Sequence, residues 1–96
     1  MYELRFLKPA EHYSKKIRER SLKEAFRTNL AAISAAPYRG EQKKGNLAGV
    51  YFHEFYHNRT NFEIAYRIYE EQESLVVAIM AGTRENLYEQ LKRYMK

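Results

Sequence analysis

Arg84 and Tyr88 combine residue types and a spacing that suit phosphate chemistry. They lie in the stretch AGTRENLYEQLKRY, residues 81–94, where an apolar run stops at Gly82 and a charged helical pattern follows without a linker. Residues four apart on a helix lie on the same face, so a guanidinium and a phenol would project together beyond the end of a strand. A guanidinium forms strong charge-assisted hydrogen bonds with phosphate. The junction therefore predicts a phosphate site with Arg84 as its cation.

The segment PYRGEQKKGNLAG, residues 37–49, is predicted to be a loop because it combines a proline, three glycines and a cluster of charges. It is long enough to be functional rather than a simple connection. Lys43 and Lys44 would add positive charge near Arg84 and hold a phosphate backbone. The alternative is that this cluster, like the basic residues of positions 15–27, is only a solvated surface.

Two histidines, His53 and His57, raise the possibility of a metal site, which their spacing does not favour. Both fall in a predicted strand, where a rise of about 3.3 Å per residue separates positions four apart by about 13 Å. That distance is too long for both rings to bind one zinc ion, so we predict no metal site. Each histidine is either a hydrogen-bonded structural group or an acid–base group that titrates near neutral pH.

The face that His53 occupies depends on the register of the next strand. If the loop NRTN, residues 58–61, has four residues, His53 pairs with Tyr66 and shares the apolar face. If a bulge shifts the alternation, it joins Glu63 and Arg67 on the open face, because a shift of one residue moves a side chain across the sheet. The sequence leaves both arrangements open.

The elements that position these residues begin with one strand and two helices. Residues 2–7, YELRFL, alternate with the strand period and end before Pro9. A weak helical pattern follows over about residues 10–20. Ser21 and Glu24 match a capping box, so a second helix is predicted to begin at Ser21. Its apolar face comprises Leu22, Ala25, Phe26, Leu30 and Ile33.

Three further strands and a last helix follow the loop. The runs VYFHEFYHN, FEIAYRIYE and SLVVAIMAG are rich in β-branched and aromatic residues and are separated by polar turns, which predicts an antiparallel meander. Thr83 can cap the last helix, whose Leu87, Leu91 and Met95 recur at four-residue spacing on its inner face. The predicted order is β-α-α-β-β-β-α, an α+β fold in which a helical hairpin and a C-terminal helix pack on a small antiparallel sheet.

Composition limits the setting of this site. The 96 residues are predicted to form one domain, residues 1–96, because a chain of this size holds a single core, which its 45% hydrophobic residues can fill. The chain has no cysteine, which excludes disulfides and thiolate metal sites. The charged N-terminus has no apolar stretch long enough for a signal peptide or a membrane span, so we expect a cytoplasmic protein. The net charge of +5 indicates a polyanionic partner, or else a basic but inert surface.

Three short motifs occur in a recognisable order: NLAG before the second strand, IAYRI in the third strand and AGTRENLY after the fourth. With the order of elements, they resemble the RelE/ParE toxins of bacterial toxin-antitoxin modules over nearly the whole chain. GTRENLY is similar to the Gly-Thr-His-x-x-Leu-Phe ending of YafQ-type toxins and to the Gly-x-Arg-Glu stretch of RelE. The resemblance implies the RelE/ParE-like fold.

The resemblance also implies roles for individual residues. RNA-cleaving members of the family carry a basic side chain at the position of Arg84 and an aromatic one at that of Tyr88. His57 matches a YafQ-type histidine, and Glu41 matches the acidic general base of a YoeB-type loop. The full predicted site comprises Arg84, Tyr88, His57, Glu41 and His53 as catalytic candidates, and Lys43, Lys44 and Arg67 as substrate-binding residues.

Three positions depart from the RelE pattern. Glu63 stands where RelE and YoeB carry an arginine, and Phe52 and Glu54 stand where RelE carries lysines. The basic set of RelE is therefore incomplete in this chain. A histidine-assisted variant of the reaction is implied instead.

The implied function is a toxin that cleaves mRNA on the ribosome, without a metal ion or cofactor, and that a cognate antitoxin holds inactive. RNA supplies its own nucleophile, the 2′-hydroxyl, so the protein must supply a base, an acid and cations for the charge that develops on phosphorus. Two alternatives stay open. One is a ParE-like toxin that inhibits DNA gyrase without nuclease activity, since one fold can serve several functions, and the other is a non-toxic RNA-binding regulator.

Overall fold

The computed structural model of the protein describes residues 1–42 and 47–95. Lys43 and Lys44, two of the predicted substrate-binding residues, lie outside this part. Within it, the helices and strands follow one another in the predicted order, with two short additions, a 3₁₀ turn and one strand. The elements are β1 (Glu3–Phe6), α1 (Lys8–Lys16), α2 (Arg20–Ala35), a 3₁₀ turn (Pro37–Arg39), β2 (Glu41–Gln42), β3 (Tyr51–His57), β4 (Thr60–Tyr69), β5 (Leu75–Thr83) and α3 (Arg84–Tyr94).

The strands form one sheet in the order β1-β5-β4-β3-β2. The meander of β3, β4 and β5 is antiparallel, as predicted. The sheet as a whole is mixed, because β1 pairs with β5 in the parallel direction, with Glu3 opposite Leu75. A parallel pair needs a long crossover, and here the chain between the two strands contains both helices of the hairpin and the strands β2, β3 and β4. The added strand β2 lies inside the segment predicted to be a loop, and it pairs with β3.

One face of the sheet, which we call the hairpin face, is covered by α1 and α2. Phe26 of α2 lies at the centre of its core and meets Phe55 edge-on, with the ring centroids 5.0 Å apart. Phe55 in turn stacks on Phe62 of β4 at 5.5 Å. Such aromatic pairs stabilise a core beyond the area they bury. The predicted apolar side of α2 therefore faces the sheet, and Ile33 is almost completely buried there.

The opposite face, the α3 face, carries a smaller core under the last helix. Leu87 and Leu91 are fully buried against Phe52, Ile79 and Met80, which confirms the predicted inner side of the helix. The register between β4 and β5 shifts after Ala65, and the two consecutive residues Ile79 and Met80 both belong to this core. None of the described helices is long and apolar enough to cross a membrane.

The start of α2 differs from the prediction. The helix begins at Arg20 with Glu19 as its N-cap, and the cap makes no side-chain hydrogen bond. Ser21 therefore lies inside the first turn, and the predicted capping box with Glu24 is wrong. The Ser21 hydroxyl lies instead 3.2 Å from the ring Nε2 of His57, because the first turn of α2 packs beside the end of β3.

The turn between β3 and β4 is shorter than predicted. It contains only Asn58 and Arg59, which have φ angles of 48° and 65°, so that His57 pairs directly with Thr60. Two consecutive residues with positive φ are typical of the type I′ turn, whose twist matches that of a hairpin. The four-residue loop is therefore wrong, and His53 pairs with Ile64.

Candidate functional site

Arg84 is the first residue of α3 and follows β5 without a linker. Thr83 has the extended φ and ψ of −73° and 146° and is the N-cap of the helix, as predicted. Its hydroxyl accepts a hydrogen bond of 3.3 Å from the Asn86 side chain rather than from a backbone amide. Because Leu87 is fully buried one turn below, the helix is anchored, and the strand end fixes where Arg84 leaves the sheet.

Arg84 lies between two lobes of an open groove on the α3 face. The first, which we call the carboxylate lobe, has a volume of about 450 Å³ and is lined by Arg39, Gly40, Glu41, Phe52, His53, Glu54, Glu63 and Arg84. The second, which we call the arginine lobe, has a volume of about 560 Å³ and is lined by Arg59, Thr60, Asn61, Thr83, Arg84 and Glu85. Among residues 1–42 and 47–95, Arg84 is the residue that borders both lobes.

The carboxylate lobe brings Glu54 to Arg84. The Arg84 Nη1 atom lies 3.4 Å from Glu54 Oε2, and both side chains are partly exposed. Glu54 stands directly opposite Glu63 in the register of β3 and β4, so both carboxylates lie on one side of the sheet. Glu63 is 4% exposed and belongs to the floor of the lobe. Strand alternation indicated an open face for Glu63, but Glu54 was not predicted as a site residue.

The structure places the rings of both predicted histidines against α2 on the hairpin face. His53 Nε2 lies 2.8 Å from Asn29 Oδ1, and burial lowers the pKa of His53 below its usual value. His57 Nε2 lies 3.4 Å from a carboxylate oxygen of Glu19. His53 also borders the carboxylate lobe at the strand edge, but its ring is held by α2. The structure therefore separates the ring of His57 from the groove.

The remaining predicted residues are divided between the groove and the surface around it. Glu41 lines the carboxylate lobe together with Arg84. Tyr88 is 38% exposed, one turn after Arg84, and the Lys92 ammonium lies 5.2 Å from its ring centroid. Arg67 pairs with Val77 at the other end of β4, four residues from Glu63, which corresponds to about 13 Å along a strand. The structure thus brings together Arg84 and Glu41, and it places Arg67 apart.

Besides Glu54, two arginines of the groove were not predicted as site residues from the sequence. Arg39 and Arg59 each line one lobe, and both lie in turns, where side-chain direction follows from backbone angles that sequence patterns do not specify. Among residues 1–42 and 47–95, no group of three histidine, cysteine or acidic side chains could hold a metal ion.

The family model of the ParE-like toxin of type II bacterial toxin-antitoxin systems matches residues 4–92. The match covers nearly the whole chain, from within the first strand to within the last helix. The chain belongs to this family. No curated protein sequence matches this ParE-like toxin significantly.

Solved structures with the same fold support the assignment to the ParE-like toxin family. A chain of the toxin-antitoxin complex RelBE2 from Mycobacterium tuberculosis superposes with a TM-score of 0.71 at 26% identity, covering 86% of this chain and 98% of that one. A mutant of the E. coli toxin RelE in the free state gives a TM-score of 0.68 at 22% identity, covering 96% of each chain. A chain of the intact E. coli RelBE complex gives 0.67 at 17% identity, covering 85% of this chain and 95% of that one. The α+β fold predicted from the sequence is thereby confirmed.

Proposed function

We propose that this toxin is an endoribonuclease that cleaves mRNA on translating ribosomes and needs no metal ion or cofactor. The observation that carries the proposal is the contact between Arg84 and Glu54 in an open groove. A guanidinium can stabilise a phosphate on which negative charge develops, and a carboxylate beside it can accept a proton. These are two of the groups that RNA cleavage requires.

The reaction follows from the chemistry of the substrate. Glu54 accepts the proton of the ribose 2′-hydroxyl, the 2′-oxygen bonds to the adjacent phosphorus, and the bond from phosphorus to the 5′-oxygen breaks. The products are a 2′,3′-cyclic phosphate and a 5′-hydroxyl, whose proton comes from solvent. Arg84 neutralises charge on the phosphate during the transfer. The nucleophile belongs to RNA, so DNA is not a substrate.

Glu54 must release Arg84 before the guanidinium can bind a phosphate. The pair is partly exposed, and exposed ion pairs contribute about 0–1 kcal/mol, so a phosphate that makes two charge-assisted hydrogen bonds can replace it. Glu41, predicted as the general base, lines the same lobe and is the other candidate for this role. Tyr88, one turn after Arg84, is the candidate for orienting or stacking the substrate.

Primer extension on cellular mRNA tests the nuclease proposal. Induction of the native chain should produce new 5′ ends within coding regions, most strongly where ribosomes translate. Glu54→Gln and Arg84→Ala should suppress these ends. Arg93→Ala removes an exposed arginine from the last turn of α3, outside both lobes, and should leave them unchanged. Native protein that arrests growth without new mRNA ends would overturn the proposal.

The acidic floor of the groove favours one alternative, a toxin that inhibits DNA gyrase. Glu54 and Glu63 lie where RNA-cleaving relatives are expected to carry basic residues, and carboxylates repel phosphates. A protein target would tolerate such charges better than RNA. In that case induction should leave mRNA ends intact, while DNA breaks accumulate and the DNA-damage response rises.

We further propose a cognate antitoxin as the partner, as in the toxin-antitoxin complexes that share this fold. A cleft of about 300 Å³ between α1 and α2 has three cations at its rim, Lys15, Lys23 and Arg27. Its apolar wall includes Ile17, Phe26 and Leu30. An acidic, amphipathic antitoxin segment matches both properties. Co-expression of the neighbouring gene's product should restore growth, and Lys23→Glu combined with Arg27→Glu should weaken the complex without reducing toxicity.

A further inference from the structure

Arg59 occupies a backbone conformation that does not suit an arginine. Its φ of 65° lies in the left-handed region, directly after Asn58 at 48°. Asparagine tolerates this region, and glycine is the usual second residue of a type I′ turn, because a Cβ atom is strained there. Strained residues other than glycine occur preferentially at functional sites. The strained conformation of Arg59 therefore indicates a functional role for its side chain.

Arg59 lines the arginine lobe, on the far side of Arg84 from Glu54 and Glu63. The charges of the described residues differ between the two lobes. Among residues 1–42 and 47–95, the arginine lobe is lined by two guanidinium groups and one carboxylate, that of Glu85. Within the same part of the chain, the carboxylate lobe is also lined by two guanidinium groups, those of Arg39 and Arg84, but by three carboxylates. A chain of phosphates that reaches Arg84 is therefore attracted to the arginine lobe and repelled by the other.

We propose that Arg59 and Arg84 form a phosphate clamp for single-stranded RNA. Arg84 binds the phosphate that is cleaved, and Arg59 binds a neighbouring phosphate of the same strand. The ribose and base next to the cleaved bond then occupy the carboxylate lobe, where carboxylates accept hydrogen bonds from hydroxyl and amino groups. This inference rests on the proposed nuclease function and adds the direction in which the substrate crosses the groove.

A third residue of the arginine lobe suits a nucleic acid better than an isolated anion. Asn61 Oδ1 is buried and has no hydrogen-bond partner within the described part of the chain. A buried acceptor without a donor destabilises the free protein. RNA supplies such donors in its ribose hydroxyls and base amino groups, whereas a phosphate at neutral pH supplies mainly acceptors.

The substitution Arg59→Gly tests the clamp, because it should weaken RNA binding without lowering the stability of the protein. Glycine accommodates the positive φ without strain, so the melting temperature should stay the same or rise. The binding of RNA should weaken about tenfold, as expected for the loss of one charge-assisted phosphate contact. Arg59→Lys keeps the charge and should recover most of the affinity. Arg93→Ala, outside the groove, is the control and should bind as the native protein does.

Binding is measured by fluorescence anisotropy with a single-stranded 2′-O-methyl RNA of about 12 nucleotides, which cannot be cut because it lacks the free hydroxyl. A salt series adds a second readout, since loss of one phosphate contact should reduce the slope of log K against log salt by about 0.7. If Arg59→Gly binds with the native affinity and slope, the clamp is overturned, even when the native chain cuts mRNA. If the native chain binds this RNA through Arg59 but cuts no mRNA, the clamp stands and the nuclease function falls. If it binds no RNA, both fall.

Discussion

The two faces of the sheet differ in how the polar side chains of β3 are covered. On the hairpin face, α2 runs along β3 and provides a partner for each histidine: Asn29 for His53, and Ser21 with Glu19 for His57. On the α3 face, the polar residues of the same strand remain open, and Glu54 is 39% exposed beside Arg84.

The difference comes from how each helix lies on the sheet. The 16 residues of α2 cover β3 on one side, whereas the 11 residues of α3 are anchored over β4 and β5. The end of β3 and the turn after it therefore stay uncovered on the α3 face. A strand that contributes to a core on one side can thus carry reactive groups on the other. The position of the covering helix determines which polar residues of the strand can contact a substrate.

The largest expected effect separates function from stability on the α3 face. Arg84→Ala removes the cation that neutralises the phosphate, which should reduce cleavage by about 10²–10³-fold and relieve growth arrest. Arg84 is exposed, so the melting temperature should change little. Growth after induction and thermal unfolding of the purified chain measure the two effects.

His57→Gln makes the comparison between the faces sharper. Resemblance predicts that this substitution reduces activity, whereas the position of His57 against α2 predicts native activity. If His57→Gln abolishes growth arrest while the chain remains folded, His57 takes part in activity as the resemblance predicts. Arrest that persists with Arg84→Ala and also with Tyr88→Phe would show that the site lies elsewhere.

On the hairpin face the expected effects are reversed. Phe26→Ala removes a ring that contacts Tyr13, Phe55 and Phe62 and should cost about 3–5 kcal/mol of unfolding free energy. The groove does not involve Phe26, so the activity of each folded molecule should remain. Urea denaturation gives the first quantity, and RNA cleavage normalised to the folded fraction gives the second. A large loss of normalised cleavage would contradict the independence of the faces.

Gly40→Ala should produce a smaller loss of stability. A Cβ atom at Gly40 would lie about 2.2 Å from the hydroxyl oxygen of Tyr66 and 3.1 Å from the carbonyl oxygen of Phe52. The Tyr66 hydroxyl is buried and donates to the Pro37 carbonyl oxygen at 2.7 Å, so it cannot move away freely. Overpacking of this kind costs about 1–3 kcal/mol. Tyr66→Phe removes the clashing oxygen. In that background, Gly40→Ala should lower the free energy of unfolding by less than it does in the native chain.

The stability of the hairpin face should depend on pH through His53. Burial lowers the pKa of His53 below its ordinary value, so the unfolded chain binds the proton more readily. This contribution to stability is fully present above the unfolded pKa of about 6.5 and is lost as the pH falls through the folded pKa. Urea midpoints measured from pH 7.5 downward should therefore fall. His53→Gln should reduce that slope, whereas His12→Gln on the exposed side of α1 should retain it.

The smallest effect concerns an exposed cluster at the end of β4. The hydroxyls of Tyr38 and Tyr2 both donate to the Glu70 carboxylate, which lowers the pKa of Glu70, with Tyr38 as the larger cause. The same bond raises the pKa of Tyr38 to about 12. Tyr38→Phe should move the pKa of Glu70 upward by more than Tyr2→Phe does. A side-chain NMR titration of Glu70 measures this, and equal shifts in both variants would contradict the order of the two bonds.

Periodicity gave the order and most bounds of the large elements, because it depends on burial along each segment. The inner faces of α2 and α3, the meander and the cap at Thr83 were all predictable in this way. The parallel pairing of β1 was not, since two strands separated by most of the chain carry no local signal of their direction. The prediction of a capping box at Ser21 failed because the helix begins one residue earlier, at Arg20, and the serine hydroxyl lies beside His57, which is distant in sequence.

The positions of site residues were predictable only where those residues directly follow a predicted element in the sequence. Arg84 follows β5 directly, so its position at the edge of the sheet could be derived from the junction. Glu54 reaches Arg84 through the registers of β3 with β4 and of β4 with β5, and the sequence left the first of these open between a four-residue loop and a bulge. The face of His53 was among the predicted alternatives, and only its partner was wrong. The partners of both histidines lie on α2, whose rotation over β3 no local pattern determines.

The parallel pairing of β1 with β5 also determines when this protein can become complete during synthesis. The backbone of Glu3 pairs with that of Leu75, so the first strand must wait until Leu75 has been made. Contacts so distant in sequence form slowly, because a long loop must close first. Arg84 and α3 come later still. A nascent chain that has folded its hairpin and paired β3 with β4 therefore still lacks both the partner of its edge strand and the arginine between the two lobes, and the groove is assembled only after β5 and α3 have been made.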